Sequence, residues 1–122
     1  MLVKIITTIF ILILLDSIYF YVNKDFFSKQ ILDVQGRPVS LNVFAAFLCY
    51  ITLALGINYF ILREKKSLLD AFLLGVVIYA VYETTNKATF KKWTYKIVLI
   101  DTLWGGILFT LTTFIMRKIY KF

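Results

Sequence analysis

The chain has 122 residues, of which 61% are hydrophobic, and it carries a formal charge of +7 from 14 basic and 7 acidic residues. This apolar share exceeds that of soluble domains and favours a single membrane domain, with the basic residues beside lipid headgroups rather than nucleic acid. There is no histidine and only one cysteine, Cys49. These absences exclude histidine-ligated haem or zinc, a histidine general base and an intrachain disulfide.

The first apolar segment runs over residues 5–22 and follows a short basic start. Its length approaches the roughly 20 residues needed to cross a bilayer. It lacks a small-residue cleavage site and ends in bulky aromatic residues, so we interpret it as a retained transmembrane helix rather than a signal peptide. Asp16 interrupts this helix about two turns before its end.

The connection over residues 23–42 is polar and contains Gly36 and the only proline, Pro38. Four of its apolar residues follow a helical spacing: Phe26, Phe27, Ile31 and Leu32. A short helix at the membrane interface fits this pattern, and so does an ordinary loop with scattered aromatic residues.

The second segment covers residues 43–62 and contains no charge. Four of its residues are predicted to share one face: Cys49, Leu53, Gly56 and Phe60. Gly56 has no side chain and is expected to permit close helix packing. The polar turn over residues 63–67 is short, so we predict that the second and third helices are antiparallel neighbours.

The third and fourth segments cover residues 68–86 and 95–116 and complete an all-α bundle of four transmembrane helices. One stripe of the third helix combines aromatic and polar residues: Phe72, Gly75, Tyr79, Tyr82, Glu83 and Asn86. One face of the fourth helix reads Asp101, Trp104, Gly105, Leu108 and Thr112. A glutamate and an asparagine are costly in lipid, so the stripe of the third helix should face protein or water.

Four spans place Asp16, Glu83 and Asp101 in the same leaflet, because the first and third helices end on the side where the fourth begins. We therefore predict a polar binding pocket and assign nine residues to it. These are Asp16, Tyr19, Tyr79, Tyr82, Glu83, Asn86, Asp101, Trp104 and Gly105. No pair of acids has a recognised metal-ligand spacing, so we expect neither a metal nor a cofactor.

Carboxylates that approach one another in an apolar medium cannot all be charged at ordinary cost. We predict that at least one of Glu83 and Asp101 is protonated at neutral pH and that the pocket binds a proton, a cation or an amine. Two simpler arrangements stay open. Glu83 and Lys87 have the i,i+4 spacing of a helical ion pair, and Asp101 could be bonded to Ser17 or Thr102.

At these residues the chain resembles a family of small four-helix membrane proteins, bacterial and viral, catalogued only as a domain of unknown function. The family motifs are Asp-x-x-Trp, Tyr-(Asp/Glu)-x-Thr-Asn, a following Trp-Pro and Asp-x-x-Trp-Gly. Their counterparts here are Asp16 with Tyr19, then Tyr82, Glu83, Thr84, Thr85 and Asn86, then Trp93, and finally Asp101 with Trp104 and Gly105. The chain departs at Tyr19, where the family favours Trp, and at Thr94, where it favours Pro. The resemblance implies four membrane helices and a shared polar site, and no activity.

Three classes of function remain. The first is a small transporter or binding protein that holds a proton or cationic ligand on the carboxylates and works as a homo-oligomer in the bilayer. The second is a structural or assembly membrane protein. The third, which we favour least, is an enzyme acting on a lipid-like substrate. The 14 basic residues divide evenly between the two sides of the membrane, so charge does not fix the orientation. We place both termini in the cytoplasm because the turn at residues 63–67 is short and basic.

Overall fold

The computed structural model of the protein describes residues 1–37 and 42–121, and within them all regular structure is helical. The elements are α1 (Leu2–Val22), α2 (Lys24–Gln35), α3 (Val43–Ile57), a π-helical turn (Asn58–Leu62) that continues α3, α4 (Leu68–Thr89) and α5 (Tyr95–Tyr120). Four spans are long and apolar enough to cross a membrane: Leu2–Val22, Val43–Leu62, Leu68–Thr89 and Tyr95–Tyr120. The predicted all-α architecture with four membrane helices is confirmed.

The first connection forms a helix rather than a loop. Helix α2 occupies Lys24–Gln35. Gly36 follows it with a left-handed φ of 72°, as is common just past the end of a helix. Gln30 fastens α2 to the last connection, because its side-chain amide donates to the carbonyl of Lys92 and its oxygen accepts the hydroxyl of Thr94. The predicted position of this helix at the membrane interface stays a prediction, and Pro38 lies outside the described residues.

Polar side chains mark where three membrane helices begin. Asn42 accepts the backbone N–H of Ala45 at the start of α3, and Thr94 accepts that of Ile97 at the start of α5. Ser67 and Asp70 form a reciprocal capping box at the start of α4. These caps satisfy N–H groups that the first helical turn leaves unpaired, so they fix where each helix leaves the connecting segment.

The membrane helices pack in the spatial order α3, α1, α5, α4. The closest pair is α4 with α5, while α1 lies against both α5 and α3. Helices α3 and α4 make few contacts, although only residues 63–67 join them. The prediction that they are packed neighbours is therefore wrong. A cavity of about 330 Å³ lies between them, lined mainly by apolar residues such as Phe60, Leu73 and Val77.

A seam of small residues explains why α4 pairs with α5. A β-carbon on Gly75 would overlap the backbone carbonyl of Gly105, and one on Gly105 would overlap the ring of Tyr79. A β-carbon on Gly106 would lie 2.6 Å from the ring of Phe72. The absence of side chains at these positions lets the two backbones approach closely, as is usual between membrane helices.

The predicted face of α3 is also wrong. Leu53 is buried, but Cys49 is exposed and Phe60 is 57% exposed at the surface of the bundle. A β-carbon on Gly56 would meet no atom within 4 Å, so this glycine is not a site of close packing. The π-helical turn at Asn58–Leu62 accounts for Phe60, because its wider winding shifts the residues after Ile57 relative to an ideal α-helix.

The apolar core is formed by α1, α3 with the π-helical turn, and α5, together with Ala71 of α4, and it lies on the side of the membrane where the chain termini are. Its fully buried members include Leu12, Ile57, Leu108 and Phe109. A smaller apolar cluster lies toward the opposite side and contains Tyr19, Phe27, Trp93 and Ile97. Three carboxyl groups are buried next to this second cluster.

Candidate functional site

Glu83 and Asp101 form the centre of the candidate site. Glu83 on α4 is 1% exposed and Asp101 on α5 is 6% exposed, and their carboxyl groups are near neighbours. The close approach of α4 and α5 brings these side chains together. The indole N–H of Trp93 donates to Glu83 Oε1 at 2.8 Å, and the hydroxyl of Tyr19 donates to Asp101 Oδ1 at 3.2 Å.

Asp16 forms the second part of the site and is 6% exposed on α1. The hydroxyl of Tyr50 donates to Asp16 Oδ2 at 2.6 Å, and the indole N–H of Trp104 donates to Asp16 Oδ1 at 2.8 Å. Tyr50 lies on α3 and Trp104 on α5, so this one carboxyl group connects three helices.

The two parts meet through stacked aromatic rings. The rings of Tyr19 and Trp104 lie 4.4 Å apart between centroids with an interplanar angle of 2°. Tyr19 donates a hydrogen bond to Asp101 and Trp104 donates one to Asp16, so the stack holds both donors in fixed positions. We use the name carboxyl cluster for Asp16, Glu83 and Asp101 with their donors Tyr19, Tyr50, Trp93 and Trp104.

The simpler pairings left open by the sequence are not formed. Lys87 lies with its Nζ 4.9 Å from the ring centroid of Tyr95, and it donates to the carbonyl of Lys91 rather than to Glu83. The hydroxyl of Thr102 is buried without a hydrogen-bond partner, and Ser17 is exposed. Across residues 1–37 and 42–121 the one ion pair is Arg63–Glu64, on the opposite side of the membrane. The carboxyl cluster therefore contains no basic residue.

The remaining predicted site residues differ in their distance from the cluster. Tyr79 is half-buried and packs against the buried Gly105, beside the cluster. Asn86 is half-buried in the last turns of α4. Tyr82 is 58% exposed and faces outward. Successive residues of a helix are rotated by about 100°, so Tyr82 cannot face inward when Glu83 does.

Two members of the carboxyl cluster, Trp93 and Tyr50, are not among the nine predicted site residues. Trp93 follows two lysines, a pattern typical of an aromatic at the membrane interface, yet it is 8% exposed and donates to Glu83. Tyr50 lies within the uncharged second segment. A tyrosine hydroxyl in an uncharged span needs a partner, which is the signal that could have linked Tyr50 to a nearby acid.

The chemistry available to the cluster follows from its donors. Each carboxyl group accepts hydrogen bonds from aromatic O–H or N–H groups, which stabilise a carboxylate without supplying a positive charge. No group of three or more Cys, Asp or Glu side chains in the described part of the chain is arranged to hold a metal ion.

Comparison with known proteins identifies the chain's relatives. The family model described as predicted membrane protein (DUF2177) matches residues 1–117. This match confirms the resemblance drawn from the sequence motifs. No curated protein matches the chain. No solved structure matches it.

Proposed function

The chain belongs to the predicted membrane protein family (DUF2177), and on that premise we propose that its carboxyl cluster is the proton-binding site of a small transporter or binding protein. The cluster would take up a proton, or exchange it for a small cation or amine. In this proposal the protein works in the bilayer as a homo-oligomer with both termini in the cytoplasm.

The observation that carries the proposal is the burial of the neighbouring carboxyl groups of Glu83 and Asp101 with no basic residue beside them. Two ionised carboxylates repel each other in such a site, so we infer that the pair shares a proton. Loss of that proton would place two negative charges on neighbouring helices that are otherwise in close contact. Proton binding is thereby linked to the packing of α4 against α5.

The surroundings of the pair also support an exchange of ions. No basic residue neutralises the carboxyl groups, so the positive charge that balances them would have to come from a proton or a bound cation. Acidic residues within membrane spans commonly mark proton or ion pathways.

A structural role is the alternative, and one observation favours it. The donors to the cluster come from α1, α3, α5 and the connection between α4 and α5, so the network joins all four membrane helices. A hydrogen-bonded network of this kind stabilises a bundle even when no ion is exchanged. Under this alternative the acids would have no role beyond packing.

Proton flux into liposomes separates the two proposals. Purified protein is reconstituted into vesicles that contain a pH-sensitive dye, and a potassium diffusion potential drives protons inward. We expect wild-type protein to acidify the lumen, and Glu83→Gln and Asp101→Asn to abolish this flux while folding normally. Asp33→Asn is the matched control, because Asp33 is an exposed acid on α2.

A packing role predicts a different pattern. Wild-type vesicles would show no flux above protein-free vesicles, and Glu83→Gln would unfold at lower temperature. A binding protein without transport would show no flux either, but purified wild-type protein would release protons into weakly buffered solution when a small amine such as methylammonium is added. Absence of both signals would contradict the proposed function.

A further inference from the structure

A basic cavity lies on the side of the membrane opposite the carboxyl cluster. It has a volume of about 270 Å³ and lies between the start of α1 and the end of the π-helical turn. Lys4, Arg63 and Lys65 line it together with Asn58, Leu62 and Met1. None of the lining residues is acidic, so three cationic side chains surround one space.

Arg63 and Lys4 also contact neighbouring groups. The guanidinium of Arg63 lies 3.0 Å from Glu64 and 4.0 Å above the ring of Tyr59, and Lys4 lies over the ring of Tyr120. Both members of the Arg63–Glu64 pair are about half exposed, and exposed pairs of this kind are weak. A guanidinium has five N–H donors, so Arg63 keeps donors for a further ligand.

The backbone around the cavity has two unusual features. The π-helical turn at Asn58–Leu62 is rare in helices and is frequent at functional sites. Three residues after it, Lys65 has a φ of 52°, in the left-handed region that favours glycine. A lysine at this position costs conformational energy that glycine would avoid, and the lysine places a positive charge beside the cavity.

We propose that this cavity binds a phosphate group. Three cations with no acid among the lining residues select an anion, and arginine and lysine are the usual partners of phosphate oxygens. The cavity lies at the ends of the membrane helices, the depth at which lipid headgroups meet a membrane protein. The phosphate would come from an anionic lipid or from free phosphate in solution, and the two sources can be distinguished experimentally.

Binding is tested on the full chain in uncharged detergent micelles by native mass spectrometry. The probes are dihexanoyl phosphatidic acid, dihexanoyl phosphatidylcholine as the zwitterionic comparison, and inorganic phosphate as a competitor. The variants are Arg63→Gln, Lys65→Gly and their combination. Glycine adopts a positive φ freely, so Lys65→Gly removes the charge without straining the turn. The matched control is Lys29→Gln with Lys92→Gln, which removes two exposed cations from the opposite side.

We expect phosphatidic acid to bind wild-type protein more tightly than phosphatidylcholine does. Each single variant should weaken binding about fivefold, the double variant should weaken it further, and the control should not change it. Competition by millimolar phosphate would identify a site for free phosphate, and its absence would identify a lipid headgroup site. Equal binding by wild type and the double variant, or equal binding of both lipids, would overturn the proposal, and neither result depends on the fate of the carboxyl cluster.

Discussion

Tyr19 and Trp104 stack with their planes 2° apart, and each donates a hydrogen bond to a different buried carboxyl group. The stack therefore positions two donors at once, and neither ring can turn without affecting both parts of the cluster. Tyr19 is also where the chain departs from the family motif. A tryptophan at this position would keep the aromatic stack but would replace the hydroxyl that donates to Asp101.

Removal of single donor atoms should destabilise the bundle while the stack stays intact. Tyr19→Phe loses only the hydroxyl that donates to Asp101, and Tyr50→Phe loses only the hydroxyl that donates to Asp16. We expect each to lower the free energy of unfolding by about 0.5–2 kcal/mol. Denaturation in micelles followed by circular dichroism measures this. Tyr21→Phe, at a ring 72% exposed, is the control and should have no effect. A Tyr19→Phe variant as stable as wild type would contradict the prediction.

Two glycine substitutions should differ sharply in their effects. Gly75→Ala introduces a β-carbon that overlaps the carbonyl of Gly105, so α4 and α5 must separate. We expect a loss of about 1–3 kcal/mol in unfolding free energy. Gly56→Ala places the same atom in open space and should be neutral or slightly stabilising, since alanine favours helix. Thermal unfolding of both variants in the same detergent tests this, and equal destabilisation would count against close packing of α4 and α5 at Gly75.

Infrared spectroscopy should detect the proton between Glu83 and Asp101. We expect the stretching band of a protonated carboxyl group at neutral pH in the wild-type protein, because two neighbouring buried carboxyl groups without a basic residue cannot both be ionised at ordinary cost. Glu83→Gln or Asp101→Asn should remove or shift this band, and the exposed-acid variant Asp25→Asn should not. A spectrum with only ionised carboxylates across about pH 5 to 8 would show that no such proton is present.

Lys87 should be dispensable for the carboxyl cluster. Its amine contacts Tyr95 and the carbonyl of Lys91, and it does not contact Glu83. Lys87→Gln should therefore leave the infrared band unchanged and reduce stability by at most about 0.5–1 kcal/mol, the size of an exposed cation–π contact. If Lys87 instead balanced a Glu83 carboxylate, its removal would leave a buried unpaired charge and cost several times more.

Cysteine accessibility should test the membrane topology. In a Cys49→Ser background, Gly36→Cys and Ser67→Cys should react with a membrane-impermeant reagent from opposite sides, because one complete span, Val43–Leu62, separates them. Thr89→Cys should react from the same side as Gly36→Cys. Labelling of positions 36 and 67 from one side would contradict four spans. The side on which Ser67→Cys reacts in intact cells also tests the proposed cytoplasmic termini.

The features that could be predicted from sequence depend on length and hydropathy alone. Apolar runs of nearly 20 residues define four spans, and their alternating direction places Asp16, Glu83 and Asp101 at one depth. Helical periodicity then shows that Glu83 and Asp101 lie on the interior faces of their helices. No knowledge of the detailed packing is needed for these steps.

Features that depend on side-chain packing could not be predicted in this way. Gly56 and Gly75 are both glycines in apolar helices, yet only Gly75 lies in a seam between two backbones. The π-helical turn at Asn58–Leu62 shifts Phe60 relative to the face of α3, and no simple residue pattern predicts such a turn. The spatial order of the helices follows from complementary surfaces. The short turn at residues 63–67 therefore does not make α3 the packing partner of α4.

The span of the cluster along the chain has a consequence for biosynthesis. Asp16 precedes its partner Tyr50 by 34 residues and its partner Trp104 by 88. Because the ribosome makes the chain from its N-terminus, α1 enters the bilayer before α3 brings Tyr50 to Asp16, and it lacks the indole of Trp104 until α5 emerges. A nascent chain halted before residue 95 would still lack Trp104, which donates to Asp16, and Asp101, which lies beside Glu83. Such chains should engage membrane quality control for longer than the finished protein, and pulse-chase degradation of truncated chains would measure that difference.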